Sequence, residues 1–118
     1  MLKDHGKNYS DLEKLKVQMK DEIPTVMAGF YNLQKAVIAD GALTSKTKEL
    51  ISLGIAITNK CDSGIPYHVK NSLDAGASFP EIMETIGVAI LMGGSMALVN
   101  ACEALEALDQ FIVLEKNG

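Results

Sequence analysis

Three residues that can handle a proton or attack an electrophile lie within one central segment of the chain. Glu49 lies 12 residues before Cys61, and His68 lies seven residues after it. Cys61 precedes a predicted helix start, where backbone N–H groups and the helix dipole favour a thiolate. Glu49 lies in an otherwise apolar segment, which favours an inward-facing acid. A buried acid, an imidazole and a thiol can together move a proton to or from sulfur.

Each of these three residues also has a structural interpretation that needs no chemistry. Glu49 could form a surface ion pair with Lys46 or Lys48 instead of facing inward. His68 could be a half-buried helix histidine bonded to a carbonyl or to Glu49. Cys61 could be an inert thiol. The apolar neighbours of Glu49 favour the inward orientation, and the residues alone leave the other two interpretations open.

Other polar side chains are predicted to be structural. Cys102 lies in an apolar stripe of the last predicted helix and is expected to pack against its neighbours. The Tyr67 hydroxyl is expected to reach water, and His5 is expected to be solvated in a polar N-terminal segment. The two histidines and two cysteines show no ligand spacing, so we expect neither a metal nor another cofactor. The apolar stripe that contains Cys102 in the last predicted helix consists of Leu98, Cys102, Leu105, Leu108 and Ile112.

The composition argues against several classes of protein. Eleven basic and fifteen acidic residues give a net charge of −4, which argues against a nucleic-acid surface. All eleven cations are lysines, so the chain has no guanidinium to clamp a carboxylate or a phosphate. Two cysteines make no disulfide scaffold, and we expect a reducing, cytoplasmic location. The uncharged stretch 85–102 approaches the length of a membrane span, but Gly93-Gly94 interrupts it, so two buried helices are expected and no membrane span.

Hydrophobic residues recur at three- and four-residue steps along most of the chain, which predicts a compact all-α fold in a single domain spanning 1–118. No segment alternates with period two for long enough to make a strand. Thr44 or Ser45 is expected to cap the third helix. Gly76 is expected to end the fourth, and Ser78 and Glu81 are expected to form a capping box for the fifth. The predicted helices are 9–22, 24 to the Asp40-Gly41 stop, 45–57, 65–75, 79–92 and 95–112.

Two of the predicted helices are apolar around most of their circumference. A helix that is apolar on all sides must be buried on all sides. A monomer of 118 residues can hardly cover both helices, so we expect a homo-oligomer with residues 82–100 central to the interface.

Three sequence segments together resemble one known family. They are GALTSKTKELI from Gly41, CDSGIPYH from Cys61 and AGAS from Ala75. The chain resembles the carboxymuconolactone decarboxylase family over residues 25–110, and within it the alkylhydroperoxidase D-like branch. The resemblance implies an all-helical oligomer, commonly a trimer or a hexamer.

The resemblance also assigns roles to the central residues. The family's redox members carry the pattern Glu-x11-Cys-x2-Cys-x3-His, in which the second cysteine attacks the peroxide and the first resolves the intermediate. On this pattern Glu49 matches the relay acid, Cys61 the resolving cysteine and His68 the relay base. Gly64 stands where the attacking cysteine belongs. Glycine has no side chain, so the intramolecular dithiol cycle cannot run in this chain.

These observations lead to one hypothesis and two alternatives. The hypothesis is a thiol-dependent peroxidase of alkylhydroperoxidase D-like lineage with impaired two-cysteine chemistry. In it, a small hydroperoxide oxidises Cys61 to a sulfenic acid, which an external thiol or dithiol recycles. The first alternative is decarboxylation of a lactone acid, with His68 and Glu49 as acid–base groups. The second is a non-catalytic oligomeric binding protein.

Overall fold

Five α-helices make up most of the part of the chain that the structure describes. The structure is a computed structural model, and it describes residues 3–117. No residue in that range forms a strand, so the prediction of an all-α fold is confirmed. The helices are α1 (His5–Glu22), α2 (Pro24–Ile38), α3 (Ser45–Thr58), α4 (Gly64–Asp74) and α5 (Phe79–Asn117).

Side-chain caps begin α3 and α5 where the sequence predicts them. Thr44 Oγ1 accepts a hydrogen bond from the N–H of Thr47 at 3.2 Å, which caps α3. Ser78 and Glu81 form the predicted capping box, with bonds of 2.9 and 3.2 Å. The Lys46 ammonium lies 2.8 Å from the Glu81 carboxylate. Together with the Ser78 N–H, it holds the pKa of Glu81 at about 2 and ties α3 to the start of α5.

The first helix begins one turn earlier than its apolar pattern predicts. The Asp4 side chain accepts a hydrogen bond from the N–H of Lys7 at 2.9 Å and so caps a helix that starts at His5. The His5 N–H donates to Gln110 Oε1 on α5 at 2.8 Å. The extra turn is therefore held by polar contacts to a distant helix, which a hydrophobic periodicity does not report.

A glycine divides the long helix α5 into two parts. Gly94 has φ 71° and ψ −154°, which is not a helical conformation and favours glycine. The predicted separation into two helices near Gly93-Gly94 is confirmed. By length and hydropathy alone, the segment 79–116 is long and apolar enough to cross a membrane.

The inner face of the second part of α5 consists mainly of alanines. Leu108 is buried, but Leu98 is 51% exposed and Cys102 is exposed, so the predicted packing of Cys102 is wrong. Alanine lets a neighbouring backbone approach closely, and the large aliphatic side chains then lie on the outer face. The buried residues of this part are Ala97, Asn100, Ala101, Ala104, Ala107, Leu108 and Phe111.

Much apolar surface stays uncovered in the single chain. The helices α3, α4 and α5 pack together around the core, whereas α2 has no buried residue. Large hydrophobic side chains on α2 and on the first part of α5 are exposed. They include Val26, Phe30, Leu33 and Val37 on α2, and Val88, Leu91 and Met92 on α5.

Candidate active site

The turn between α3 and α4 fixes the position of Cys61. The Cys61 N–H donates to the Ala56 carbonyl at 3.1 Å, and the Lys60 N–H donates to the Ile57 carbonyl at 3.4 Å. This is a Schellman turn, and Lys60 takes its left-handed position with φ 52°. The Cys61 carbonyl accepts from the Ile65 N–H in the first turn of α4 at 2.8 Å. Both backbone groups of Cys61 are thus bonded, one to each helix.

The sulfur of Cys61 lies over the backbone of Gly64. A Cβ atom added at position 64 would collide with Cys61 Sγ and would lie 3.9 Å from His68 Cδ2. The sulfur and the imidazole are therefore on the same side of the Gly64 backbone. Cys61 is a free, exposed thiol, so a small molecule can reach it.

The His68 ring is partly buried and lacks a protein partner at one nitrogen. Nδ1 is buried without a hydrogen bond to any described residue. Burial lowers the pKa of His68 below its usual 6.5, because the imidazolium is poorly solvated there. The Tyr67 ring packs edge-on against the imidazole, with ring centroids 5.4 Å apart. The lowered pKa favours the neutral imidazole at pH 7.

Glu49 faces inward, as its apolar neighbours predict. The residue is 8% exposed, and its Oε2 is buried without a hydrogen-bond partner among the described residues. Burial raises the pKa of Glu49 above 4.5. Lys48 instead donates to the carbonyls of Val37 and Ala39 at 2.8 and 2.6 Å, and Lys46 is bonded to the capping box of α5. The alternative of a surface ion pair for Glu49 is therefore wrong.

Glu49 opens onto a cleft of about 520 Å³ between α2, α3 and α4. This volume lies within the range of small-molecule sites. Tyr67 lines the cleft, and its ring also packs against His68. Tyr67 therefore connects the cleft with the imidazole. The other lining residues include Tyr31, Gln34, Lys35, Ser45, Asn71 and Asp74.

The structure brings the predicted site residues together in two groups. Cys61, Gly64 and His68 form the first group, at the start of α4. Glu49 lies on the neighbouring helix α3 and faces the cleft. Among the described residues, no hydrogen bond joins the Glu49 carboxylate to the His68 ring, so a proton passing between them needs an intermediary such as water.

The prediction of a solvated His5 is wrong, because His5 is 0% exposed and its Nε2 lies 2.8 Å from Glu106 Oε1. The Tyr67 hydroxyl accepts a hydrogen bond from Lys16 Nζ at 2.8 Å, a partner that the sequence does not indicate. Both partners are far away in sequence, and no local pattern signals them. Within residues 3–117 no group of three or more His, Cys, Asp or Glu side chains is placed to hold a metal ion.

Replacing Glu49 by glutamine is expected to raise the melting temperature at pH 7 and to leave it unchanged in acid. The folded-state pKa of Glu49 lies above 4.5, so the folded protein holds this proton more tightly than the unfolded chain. The stability that this proton contributes is complete below pH 4.5 and is lost as the pH rises through the folded-state pKa. Melting curves of both proteins between about pH 4 and 8 measure the difference, with exposed Glu84→Gln as the control. Parallel curves for the wild type and Glu49→Gln would contradict the burial of an ionisable carboxyl.

Comparison with known proteins supports a single family. Residues 24–107 match the Carboxymuconolactone decarboxylase family. A protein of Paracoccus denitrificans, described as uncharacterised protein 4 in the cox locus, is 42% identical over 81 residues. That match covers 69% of this chain and 73% of the relative. The helix α1 lies outside the residues matched to the family.

Two solved structures share the fold and about a third of the sequence. The apo form of a carboxymuconolactone decarboxylase family protein from Legionella pneumophila is 36% identical, with a TM-score of 0.86. The match covers 91% of this chain and 96% of that one. A family member from Thermotoga maritima, for which involvement in the antioxidative response has been suggested, is also 36% identical, with a TM-score of 0.73 over 80% of this chain and 97% of that one. By sequence and by fold, this chain belongs to the carboxymuconolactone decarboxylase family.

Proposed function

We propose that this chain reduces small hydroperoxides at the expense of an external thiol, with Cys61 as its reacting cysteine. The observation that carries the proposal is the position of Cys61 Sγ, which lies over Gly64 on the side that faces His68. In the redox members that the chain resembles, the attacking cysteine branches from the position of Gly64. The sulfur of Cys61 therefore lies beside the histidine although the second cysteine is missing. The suggested antioxidative role of the Thermotoga maritima relative supports the same chemistry.

The proposed cycle needs one protein thiol and two equivalents of external thiol. The Cys61 thiolate attacks the terminal oxygen of the hydroperoxide; the S–O bond forms, the O–O bond breaks, and the alkoxide leaves as an alcohol after protonation. A first external thiol attacks the sulfenic acid, which releases water and leaves a mixed disulfide on Cys61. A second external thiol attacks the mixed disulfide, releases the external disulfide and restores the Cys61 thiol.

The neighbouring acid and base have separate parts in this proposal. His68, neutral because burial lowers its pKa, accepts the thiol proton and returns it to the leaving alkoxide. Glu49, whose pKa burial raises, is a second group at the wall of the cleft that can accept and return a proton. Activity should therefore fall as the pH drops through the pKa of His68, below 6.5, because only the neutral imidazole accepts a proton.

Hydroperoxide consumption by the purified protein tests the proposal. We expect cumene hydroperoxide to be consumed catalytically in the presence of either a monothiol or dithiothreitol, because every reducing equivalent comes from outside the chain. Consumption no faster than that of the thiol alone would contradict the proposal. In that case, loss of the chromophore of a lactone acid would favour the decarboxylase alternative, and binding without turnover would favour a non-catalytic protein.

We also propose that the chain acts as a homo-oligomer, a trimer or a hexamer. The exposed hydrophobic side chains of α2 and of the first part of α5 support this assembly, because soluble monomers rarely expose large contiguous apolar patches. A mass of three or six chains by light scattering is expected, and a monomer at micromolar concentration would contradict it. The free thiols fit a reducing compartment, so we propose a cytoplasmic location.

A further inference from the structure

The helix α1 contacts the candidate site although it lies outside the residues matched to the family. It packs against α2, α4 and α5. Two of its side chains, Tyr9 and Lys16, meet at the ring of Tyr67, the residue that packs against His68. A helix that precedes the family's matched segment 24–107 thus reaches a side chain next to the proposed base.

A row of four rings connects the core with His68. Phe111, which is buried on α5, meets Tyr9 edge-on with centroids 6.3 Å apart. Tyr9 stacks on Tyr67 at 5.8 Å with an angle of 22° between the ring planes. Tyr67 in turn meets the imidazole of His68 edge-on at 5.4 Å and 79°. Offset-stacked and edge-on arrangements of this kind are the favourable ones for aromatic pairs.

Lys16 holds the polar end of the same tyrosine. Its Nζ lies 2.8 Å from the Tyr67 hydroxyl and 4.5 Å from the centre of the Tyr67 ring. The ammonium also lies 3.1 Å from the Glu13 carboxylate, which fixes its own position on α1. A lysine ammonium has donors and no acceptor, so the Tyr67 oxygen must accept this bond. Tyr67 is therefore held at its ring by Tyr9 and at its hydroxyl by Lys16.

We infer that Lys16 and Tyr9 are positioning residues, which hold the Tyr67 ring against His68 and keep the imidazole shielded from water. Both act on His68 through the Tyr67 ring. The effect of Lys16 and Tyr9 on turnover rests on the proposed function. Their effect on the pKa of His68 does not depend on it. When the hold on Tyr67 is lost, its ring can turn outward, water reaches His68, and the imidazolium becomes easier to form.

The groups whose charge could also act on His68 come from every element around it. They are Cys61 in the preceding turn, Glu49 on α3, Lys16 and Glu13 on α1, and the groups that line a small cavity with Tyr67, namely Lys3, His5, Asp62 and Glu103. Removing the Lys16 charge would itself favour the imidazolium. Tyr67→Phe separates the two effects, because it removes the hydrogen bond and leaves the charge of Lys16 in place.

The experiment is a titration of the two histidine rings by NMR, with the His68 signal assigned from His68→Gln. We expect Tyr67→Phe and Lys16→Met each to raise the pKa of His68 by about half a unit or more, toward the value of a solvated imidazole. Lys16→Arg, which keeps both charge and donors, should stay near the wild type. Lys14→Met removes an exposed charge from the same helix and should leave the titration unchanged.

The outcomes distinguish this inference from the proposed function. An unchanged His68 titration in Tyr67→Phe would overturn the inference, even if the wild type consumes hydroperoxide. A pKa of His68 that rises in Lys16→Met but not in Tyr67→Phe would also overturn it. The charge of Lys16, and not the position of the Tyr67 ring, would then be the cause. A wild type without peroxidase activity would refute the proposed function and leave the titration result valid. Since Tyr67→Phe removes only a hydroxyl, it remains decisive if Lys16→Met does not fold.

Discussion

Replacing Cys61 by serine is expected to lower thiol-dependent hydroperoxide consumption by about 100-fold or more, to the rate of the thiol alone. A serine hydroxyl has the shape of the thiol but is a poor nucleophile toward peroxide oxygen at neutral pH. The turn that holds position 61 uses backbone bonds alone, to Ala56 and Ile65, so the substitution should leave the fold intact. The rate of peroxide loss with a fixed concentration of thiol measures the effect, and circular dichroism checks the fold.

The second cysteine provides a matched control for this substitution. Cys102 is also free and exposed, but it lies on the outer face of α5. Cys102→Ser should therefore keep the wild-type rate. Full activity in Cys61→Ser, or an equal loss in Cys102→Ser, would show that the reacting sulfur has been misassigned.

Introducing a second thiol by Gly64→Cys is expected to raise dithiol-driven turnover by about tenfold. The new sulfur would lie on the same face as the imidazole of His68, one helical turn before it. Resolution of the sulfenic acid would then be intramolecular, and neighbouring groups react at high effective concentrations. Oxidation by one equivalent of hydroperoxide should remove two thiols from the variant, and the turnover rate with dithiothreitol gives the gain.

The matched control is Gly64→Ala, which adds the Cβ atom without the sulfur. That atom would collide with Cys61 Sγ, so the Cys61 side chain must rotate away. We expect Gly64→Ala to be slower than the wild type, because the rotation carries the sulfur away from its place beside His68. A Gly64→Cys variant no faster than the wild type, or one with both thiols still free after oxidation, would contradict the prediction.

The elements that the sequence predicts well are those with local causes. Thr44 and the Ser78–Glu81 pair bond to groups three residues away, and glycine permits the backbone conformations found at Gly76 and Gly94. The inward orientation of Glu49 is also local, because the apolar residues around it on α3 determine which face is buried. Such features need no knowledge of which helices meet.

The features that the sequence does not predict depend on contacts between distant segments. His5 is buried because Glu106, 101 positions later, lies beside it. The Tyr67 hydroxyl is bound by Lys16 from α1, and this contact depends on how α1 packs against α4. On α5, two neighbouring faces are both apolar, and the alanine face is buried because it lets the helices approach more closely than the leucine face would. The hydrophobic pattern of the sequence does not show which of two apolar faces of a helix is buried.

Locating the first oxidation product tests most directly whether Cys61 carries the reacting sulfur. The reduced protein is treated with one equivalent of cumene hydroperoxide in the presence of dimedone, which traps sulfenic acids, and the adduct is mapped by mass spectrometry. The adduct is expected on Cys61 and not on Cys102, and it should form more slowly in His68→Gln than in the wild type. Equal labelling of the two cysteines, or labelling of Cys61 at the same rate in His68→Gln, would contradict this expectation.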